Sequence, residues 1–334
     1  MPLRVHWSLP DGLLDLDATA LHQHLGGPTL VHVPGRRLPA LFVSVLLHGN
    51  ETSGWDGLRR FLRENPRPDR ALTVFIGNTA AAAQGVRALP GQPDYNRIWG
   101  GAEEGGVALP AALQTAIAGQ PFFASVDLHN NTGHNPYYAV VTDLSPANLG
   151  LAQLFSDKAV YVEEPDTVLT RVFDGRCPAV ALEVGPVGDP RCADRVVDLL
   201  GRALLLDAIA DAEPGDLSLF RTRVRVHIRE DVLFAFEGEL PDGGEGVDLT
   251  LTGGVEAVNF HELAAGSVFG TSRRCVNRVL EVLDVNHADV TEAYFARDGQ
   301  KILLTQPVVP AMYTTDAYVI RQDCLCYFME RLTP

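Results

Sequence analysis

Two residues of metal-ligand type, His48 and Glu51, end the apolar run Ala40–Leu47 in the motif HGNE. A second histidine, His129, follows another apolar stretch in FFASVDLHNNTGH. Two imidazole nitrogens and one carboxylate form a set that catalytic Zn²⁺ favours, because three protein ligands leave the fourth tetrahedral position to water. The sequence therefore predicts one Zn²⁺ per chain, bound by these three residues, and hydrolytic chemistry.

Further charged residues suit the chemistry of such a site. Glu183 stands in the apolar segment ALEVGP, where an unpaired charge would be costly. We interpret it as the general base that takes a proton from water and passes it to a leaving amine; a structural salt bridge to an arginine is the alternative. Arg87 could polarise the scissile carbonyl, and the motif DYNR at 94–97 is typical of a clamp for an anionic group.

The elements that must position these residues alternate between short apolar strands and helices with apolar spacing. This alternation predicts an α/β fold with a largely parallel sheet covered on both faces, and such sheets place ligands at the carboxyl ends of their strands. The predicted strands are 40–47, 71–77, 122–128, 137–142 and 178–184. The predicted helices are 52–64, 109–118, 146–157 and 191–211.

The pattern changes after the AEPGD stretch at 212–216, where short alternating segments are separated by Gly, Asp and Pro. We predict a boundary near Pro214. Residues 1–213 would form the hydrolase domain, and residues 214–334 a smaller β-rich domain that caps the active site.

Composition narrows the functional class. The chain has 334 residues and a net charge of -15, which disfavours nucleic acid and anionic lipid as partners. No apolar run approaches the roughly 20 residues that a membrane span needs, and no secretory signal is visible at the N-terminus. A cytoplasmic location is therefore expected. The five cysteines are thinly spread and are expected to be free thiols.

Four motifs in this order carry a resemblance: HGNE, then N-x(8)-R with DYNR, then DLHNNTG, and finally LEVGP. Together they resemble the aspartoacylase and succinylglutamate desuccinylase branch of the zinc carboxypeptidase superfamily. The resemblance implies a three-layer α/β/α zinc-carboxypeptidase-like domain with a mixed sheet, followed by a small β-rich domain. It also implies that Glu183 is the base, that Arg87 assists at the carbonyl, and that Asn96 and Arg97 hold the α-carboxylate of the amino acid.

The aspartoacylase side of the family is more similar, because DLHNNTG and EVGP match its form. By this likeness Arg171 would grip a side-chain carboxylate of the substrate, and Tyr318 would be contributed by the C-terminal domain. The sequence departs from the family pattern in DYNR, where DLNR is commoner, and in a longer loop rich in Pro and Gly at 88–93. These departures concern the acyl and side-chain pockets.

These observations predict a zinc-dependent hydrolase that cleaves the amide of a small anionic N-acyl amino acid, such as an N-acyl aspartate or glutamate. One alternative is a metallocarboxypeptidase that acts on short peptides. Another, of a different class, is an inactive metal-binding or regulatory protein. The sequence leaves the acyl group, the amino acid and the oligomeric state open, a homo-oligomer included.

Overall fold

The computed structural model describes residues 2–100, 108–163, 165–238 and 246–332. Its contacts divide the chain into two compact units. The first unit contains the described residues of Met1–Asn130 and Tyr137–Leu219, and the second contains Asn131–Pro136 and Phe220–Leu332. The short segment Asn131–Pro136, which comes directly after Asn130 in the chain, therefore packs with the C-terminal residues.

The first unit alternates strands and helices. Its strands are β1 (Arg4–His6), β2 (Thr29–Val33), β3 (Arg37–Val45), β4 (Arg70–Ile76), β5 (Phe122–Asn131), β6 (Tyr138–Val141), β7 (Lys158–Tyr161) and β8 (Ala179–Pro186). Its helices are α1 (Leu21–Leu25), α2 (Ser53–Glu64), α3 (Thr79–Ala82), α4 (Leu109–Ala116), α5 (Pro146–Phe155) and α6 (Pro190–Ala203).

The strands of the first unit lie in the order β1-β2-β4-β3-β5-β8-β6-β7. β3 pairs in parallel with both β4 and β5, whereas β2 with β4 and β6 with β8 are antiparallel, so the sheet is mixed. The central strands are buried on both faces, which explains their continuous apolar runs.

Helices cover both faces of this sheet. Side chains alternate along a strand, so Phe42 and Val45 of β3 point to opposite faces. Phe42 shares an apolar cluster with Leu113 of α4, while Val45 lies against Gly54 of α2, where an added Cβ would come within 3.3 Å of it. The three-layer α/β/α architecture predicted from the sequence is confirmed.

The second unit is rich in short strands. They are β9 (Ser218–Ile228), β10 (Phe234–Phe236), β11 (Leu249–Leu251), β12 (Val268–Ser272), β13 (Leu280–Asp284), β14 (Phe295–Asp298), β15 (Lys301–Leu304), β16 (Val309–Ala311) and β17 (Cys326–Arg331), with helices α7 (Thr291–Tyr294) and α8 (Ala317–Gln322). β9 pairs with β13 and β17, β17 with β16, and a separate sheet has the order β10-β11-β12-β15-β14. Within the described part of the chain, no helix combines the length and apolar character needed to cross a bilayer.

Candidate active site

The site forms where β3 and β5 end at the same edge of the sheet. The two strands pair in parallel with Ser44 opposite Asp127, so residues just beyond this register meet. Leu46 adopts a left-handed conformation with φ 58° and ends the straight course of β3, after which His48 and Glu51 follow before α2 begins at Ser53. The HGNE turn lies against α3 so closely that an added Cβ on Gly49 would be 2.3 Å from a backbone nitrogen.

The three predicted metal ligands converge. The Nδ1 atom of His48 lies 2.8 Å from Oε1 of Glu51, and Nδ1 of His129 lies 2.8 Å from Oε2 of the same carboxylate. All three side chains are buried, and their ligand atoms lie within 4.8 Å of one another. No other group of this kind occurs among the residues that the structure describes.

The mutual electrostatic effects of His48, Glu51 and His129 shift the pKa values of Glu51 and His129 and set the charge of the carboxyl. Burial alone would raise the pKa of Glu51, but the two imidazoles outweigh it and hold that pKa well below its usual range. Burial would lower the pKa of His129, but the carboxylates of Asp127 and Glu51 raise it well above its usual value. Glu51 is therefore an anion between two imidazoles, and its charge would stabilise a cation bound among the three side chains.

Two further carboxylates orient the imidazoles from behind. Nε2 of His48 lies 3.0 Å from Oδ1 of Asp94, and Nε2 of His129 lies 2.8 Å from Oδ2 of Asp127. The hydroxyl of Ser44 donates a hydrogen bond to the other oxygen of Asp127. An imidazole that donates Nε2–H to a carboxylate presents its Nδ1 lone pair to a metal, which is a common outer arrangement around metal ligands.

The sequence patterns do not predict this outer arrangement. They assign Asp94 only to the DYNR clamp and give Asp127 no role. The signal for Asp127 is the spacing D-x-H on a strand, which places both side chains on one face. The donor set fits zinc, because two imidazole nitrogens and a carboxylate converge while both Nε2 atoms are occupied elsewhere.

Glu183 lies on β8, beside β5, and the strand continues past it to Pro186. The residue is half-buried, and its Oε2 atom is buried with no hydrogen-bond partner among the described residues. Burial raises the pKa of Glu183 to about 7; His129 opposes this rise and the negative charge of Glu51 adds to it. Nδ2 of Asn130, the residue after His129, donates to the carbonyl of Gly185 at 2.7 Å, and its N–H lies 3.3 Å from Oε2 of Glu51, so the end of β8 that carries Glu183 lies at the same edge of the sheet.

Arg87 joins the site through both its backbone and its side chain. Its carbonyl accepts a hydrogen bond from the backbone N–H of Gly49 at 3.0 Å. Its guanidinium lies 3.0 Å from Oδ2 of Asp94 and 3.7 Å from Oε1 of Glu51. Burial would raise the pKa of Asp94, but His48 and Arg87 hold it well below its usual range.

The predicted substrate residues Asn96, Arg97 and Arg171 lie on two connected segments. Oδ1 of Asn96 accepts a hydrogen bond from the backbone N–H of Leu169, close to Arg171 in the sequence. Arg97 donates to the carbonyl of Asn96 at 2.8 Å, and no carboxylate within the described ranges pairs with it.

The guanidinium of Arg171 contacts residues that are close to it in the sequence. Its guanidinium lies 3.4 Å from the carboxylate of Asp174 and donates to the backbone carbonyl of Glu163 at 3.1 Å. Tyr318 belongs to α8 of the second unit, where its exposed hydroxyl accepts a hydrogen bond from Gln322. The substrate roles of both residues stay predictions.

Fold and site together are those of an α/β protein with a buried set of metal-ligand side chains. The family profile described as the succinylglutamate desuccinylase/aspartoacylase catalytic domain matches residues 37–209, more than half of the chain. The chain belongs to this family, whose members are hydrolases that act on N-acyl amino acids. The resemblance carried by the four sequence motifs is confirmed.

Solved structures support the same fold. The succinylglutamate desuccinylase of Chromobacterium violaceum has a TM-score of 0.55 at 18% identity, covering 89% of this chain and 86% of its own. A succinylglutamate desuccinylase/aspartoacylase from Rhodobacter sphaeroides has a TM-score of 0.58 at 16% identity, covering 91% and 89%. Murine aminoacylase 3 has a TM-score of 0.53 at 18% identity, covering 89% and 97%. A comparison with curated proteins gives no match.

Proposed function

We propose that this protein is a zinc-dependent hydrolase that cleaves the amide bond of a small anionic N-acyl amino acid, releasing a carboxylate and a free amino acid. One observation carries the proposal: a buried His48–Glu51–His129 set shares a sheet edge with a carboxyl, Glu183, whose Oε2 has no partner in the described structure. A set that served only to bind a metal would not need this additional carboxyl.

His48, Glu51 and His129 would hold one Zn²⁺ per chain. When bound, zinc activates water at neutral pH and acts as a Lewis acid toward a carbonyl oxygen. Asp94 and Asp127 keep both imidazoles in the tautomer that presents Nδ1. The other residues of the site would transfer protons, stabilise developing charge or bind the substrate.

Glu183 would remove a proton from the attacking water and deliver it to the leaving nitrogen. A raised pKa suits this double role, because a base close to the working pH both accepts and returns a proton efficiently. Arg87 would donate to the carbonyl oxygen as negative charge develops, an effect worth roughly 10²–10³ in rate for comparable donors. Asp94 fixes the direction of that guanidinium.

Asn96 and Arg97 would hold the carboxylate of the amino acid. Arg97 supports this role because its guanidinium, which donates to the carbonyl of Asn96, has the planar fork of donors that suits a carboxylate. We propose Arg171 as a second anion contact and Tyr318 as a contribution of the C-terminal residues. The cytoplasm is the location that we propose from composition.

A hydrolysis panel tests the proposal. The zinc-loaded protein would be given N-acetyl and N-succinyl derivatives of aspartate, glutamate and neutral amino acids, together with short peptides, and release of free amine would be measured. Chelator-treated protein and the His129→Ala variant are the controls, with zinc content determined by elemental analysis. Preferred hydrolysis of N-acyl amino acids, lost in both controls, is the expected result.

Two results would contradict the proposal. Faster hydrolysis of peptides than of any N-acyl amino acid would favour the carboxypeptidase alternative. A zinc-loaded protein that cleaves none of these compounds would favour the inactive metal-binding alternative. Analytical ultracentrifugation of the same sample would establish the oligomeric state.

A further inference from the structure

The segment between β4 and Asp94 forms a closed loop that carries Arg87. It starts at Asn78, whose side-chain oxygen accepts a hydrogen bond from the backbone of Ala81 and so begins α3. The chain then passes Arg87, continues through the Pro/Gly-rich stretch at 88–93, and reaches Asp94. This stretch forms neither helix nor strand, so contacts outside regular secondary structure must shape it.

Two side-chain amides close the loop at its base. Nε2 of Gln92 donates to Oδ1 of Asn78 at 3.0 Å, and Nδ2 of Asn78 donates to Oε1 of Gln92 at 3.0 Å. Oε1 of Gln92 also accepts the backbone N–H of Leu89 at 3.0 Å. Asn78 is 1% exposed, so a broken pair would leave its buried Nδ2 without the acceptor that Gln92 supplies, while Oδ1 would keep the N–H of Ala81. We call this Asn78–Gln92 pair the amide clasp.

The amide clasp lies two residues from Asp94 in the sequence, and Asp94 contacts both His48 and Arg87. On the other branch of the loop, the carbonyl of Arg87 is bonded to the N–H of Gly49, next to His48. A loop closed at its base therefore fixes the guanidinium and the carboxylate relative to the HGNE turn. Among the described residues, the backbone contributes one hydrogen bond within the stretch at 88–93, from the N–H of Gln92 to the carbonyl of Leu89, so the side-chain contacts of Gln92 are important for its shape.

We propose that Gln92 is a positioning residue, which closes this loop through Asn78 and thereby holds Arg87, against its partner Asp94, where the reaction needs the guanidinium. The inference rests on the proposed hydrolase function. Gln92 does not touch the substrate in this scheme. Its effect passes through Arg87, which is what an experiment must distinguish from a general loss of stability.

Gln92→Ala is the variant that removes the clasp. Gln84→Ala is the matched control, because Gln84 is exposed on the same loop and makes no side-chain hydrogen bond within the described residues. Gln92→Glu serves if the alanine variant does not fold, since it keeps acceptors for Leu89 and for Nδ2 of Asn78, loses the amide donor to Oδ1 and adds a negative charge that disfavours the contact with Oδ1. Each change is also made in an Arg87→Ala background.

Small displacements of positioned groups can cost about 100-fold in rate, so we expect Gln92→Ala to lower kcat by roughly 10- to 100-fold. KM should change less than kcat, because Asn96 contacts Asp94 through its N–H but is also held through its side chain by the N–H of Leu169, which the clasp does not touch. Zinc content should equal that of the wild type. In the Arg87→Ala background, removal of Gln92 should have almost no further effect on kcat, because residues that act as one unit are not additive.

Amide hydrogen exchange gives a readout independent of activity. In Gln92→Ala, the N–H of Leu89 loses its acceptor, and that of Gly49 loses a fixed partner, so both should exchange faster than in Gln84→Ala. If the wild type hydrolyses no N-acyl amino acid, the proposed function fails and exchange alone decides whether the clasp fixes the loop.

Either of two results would overturn the inference. One is a Gln92→Ala protein with the kcat and exchange rates of Gln84→Ala. The other is an undiminished loss of kcat on removing Gln92 from the Arg87→Ala protein, since Gln92 would then act by another route.

Discussion

Replacing Asp127 by Asn tests the carboxylates that orient the imidazoles. The variant keeps the size of the side chain, and its amide oxygen can still accept Nε2–H of His129, which lies 2.8 Å from Oδ2 in the wild type. The tautomer of His129 is therefore retained and only the negative charge is lost. We expect zinc to bind about 10- to 100-fold more weakly, the usual effect of losing such an outer partner.

That range corresponds to about 1.4–2.8 kcal/mol of binding free energy, since each factor of ten is about 1.4 kcal/mol. Ser44→Ala should cost less, because it removes one hydrogen bond to Asp127 and no charge. Asp127→Ala should cost more than Asp127→Asn, because the imidazole then loses both its acceptor and its orientation.

Competition with a chromogenic zinc chelator at fixed pH measures all these affinities without reference to catalysis. Asp198→Asn is the control, since Asp198 is an exposed carboxylate of α6 that pairs with Arg202. If Asp127→Asn and Asp198→Asn bind zinc equally tightly, Asp127 does not support the metal site and this reasoning is wrong.

The other predictions concern the base, the substrate clamp and the helix packing. Glu183→Gln should keep its zinc and lose about two to four decades of kcat; near-normal turnover would contradict the role of the base. Burial raises the pKa of Glu183 to about 7, and a bound cation would lower it. Because the base works deprotonated, log kcat/KM should rise with pH to a plateau, and the bend should lie at or below about 7; a bend well above that pH would argue against Glu183. Arg97→Met should raise KM far more than it lowers kcat, in steady-state kinetics with the preferred substrate, and an unchanged KM would remove Arg97 from the clamp. Gly57→Ala should lower the free energy of unfolding measured in urea, because its Cβ would lie 2.5 Å from that of Val196. Gly201→Ala, with open space around the added methyl group, should raise that free energy by up to about 1 kcal/mol. Equal changes in the two variants would contradict this packing.

Local patterns predict the metal ligands because each stands at a recognisable place on an apolar strand. His48 and Glu51 follow β3, and His129 lies at the end of the apolar part of β5. Ser44 behind Asp127 could not be predicted in the same way. Ser44 and Asp127 are 83 positions apart, and their contact depends on the register between β3 and β5. A single serine in an apolar strand carries no sign of its partner.

The end of α6 shows a second limit. Apolar spacing predicts a helix up to Asp211, but α6 ends at Ala203. The chain instead folds back over α5, where the carbonyl of Pro146 accepts the N–H of Ala212 and the carbonyl of Ala210 lies over Gly150. Contacts with α5, which is distant in the sequence, thus override the local helical preference of the residues after Ala203.

The membership of Asn131–Pro136 in the second unit has a practical consequence for dissecting this protein. Met312 donates its N–H to Asn135, and Gly133 lies so close to the carbonyl of Tyr313 that an added Cβ would be 2.4 Å away. A fragment that stopped at Leu219 would remove both of these contacts from a segment that begins two positions after the histidine expected to bind zinc. We therefore expect such a fragment to bind zinc more weakly than the full chain does.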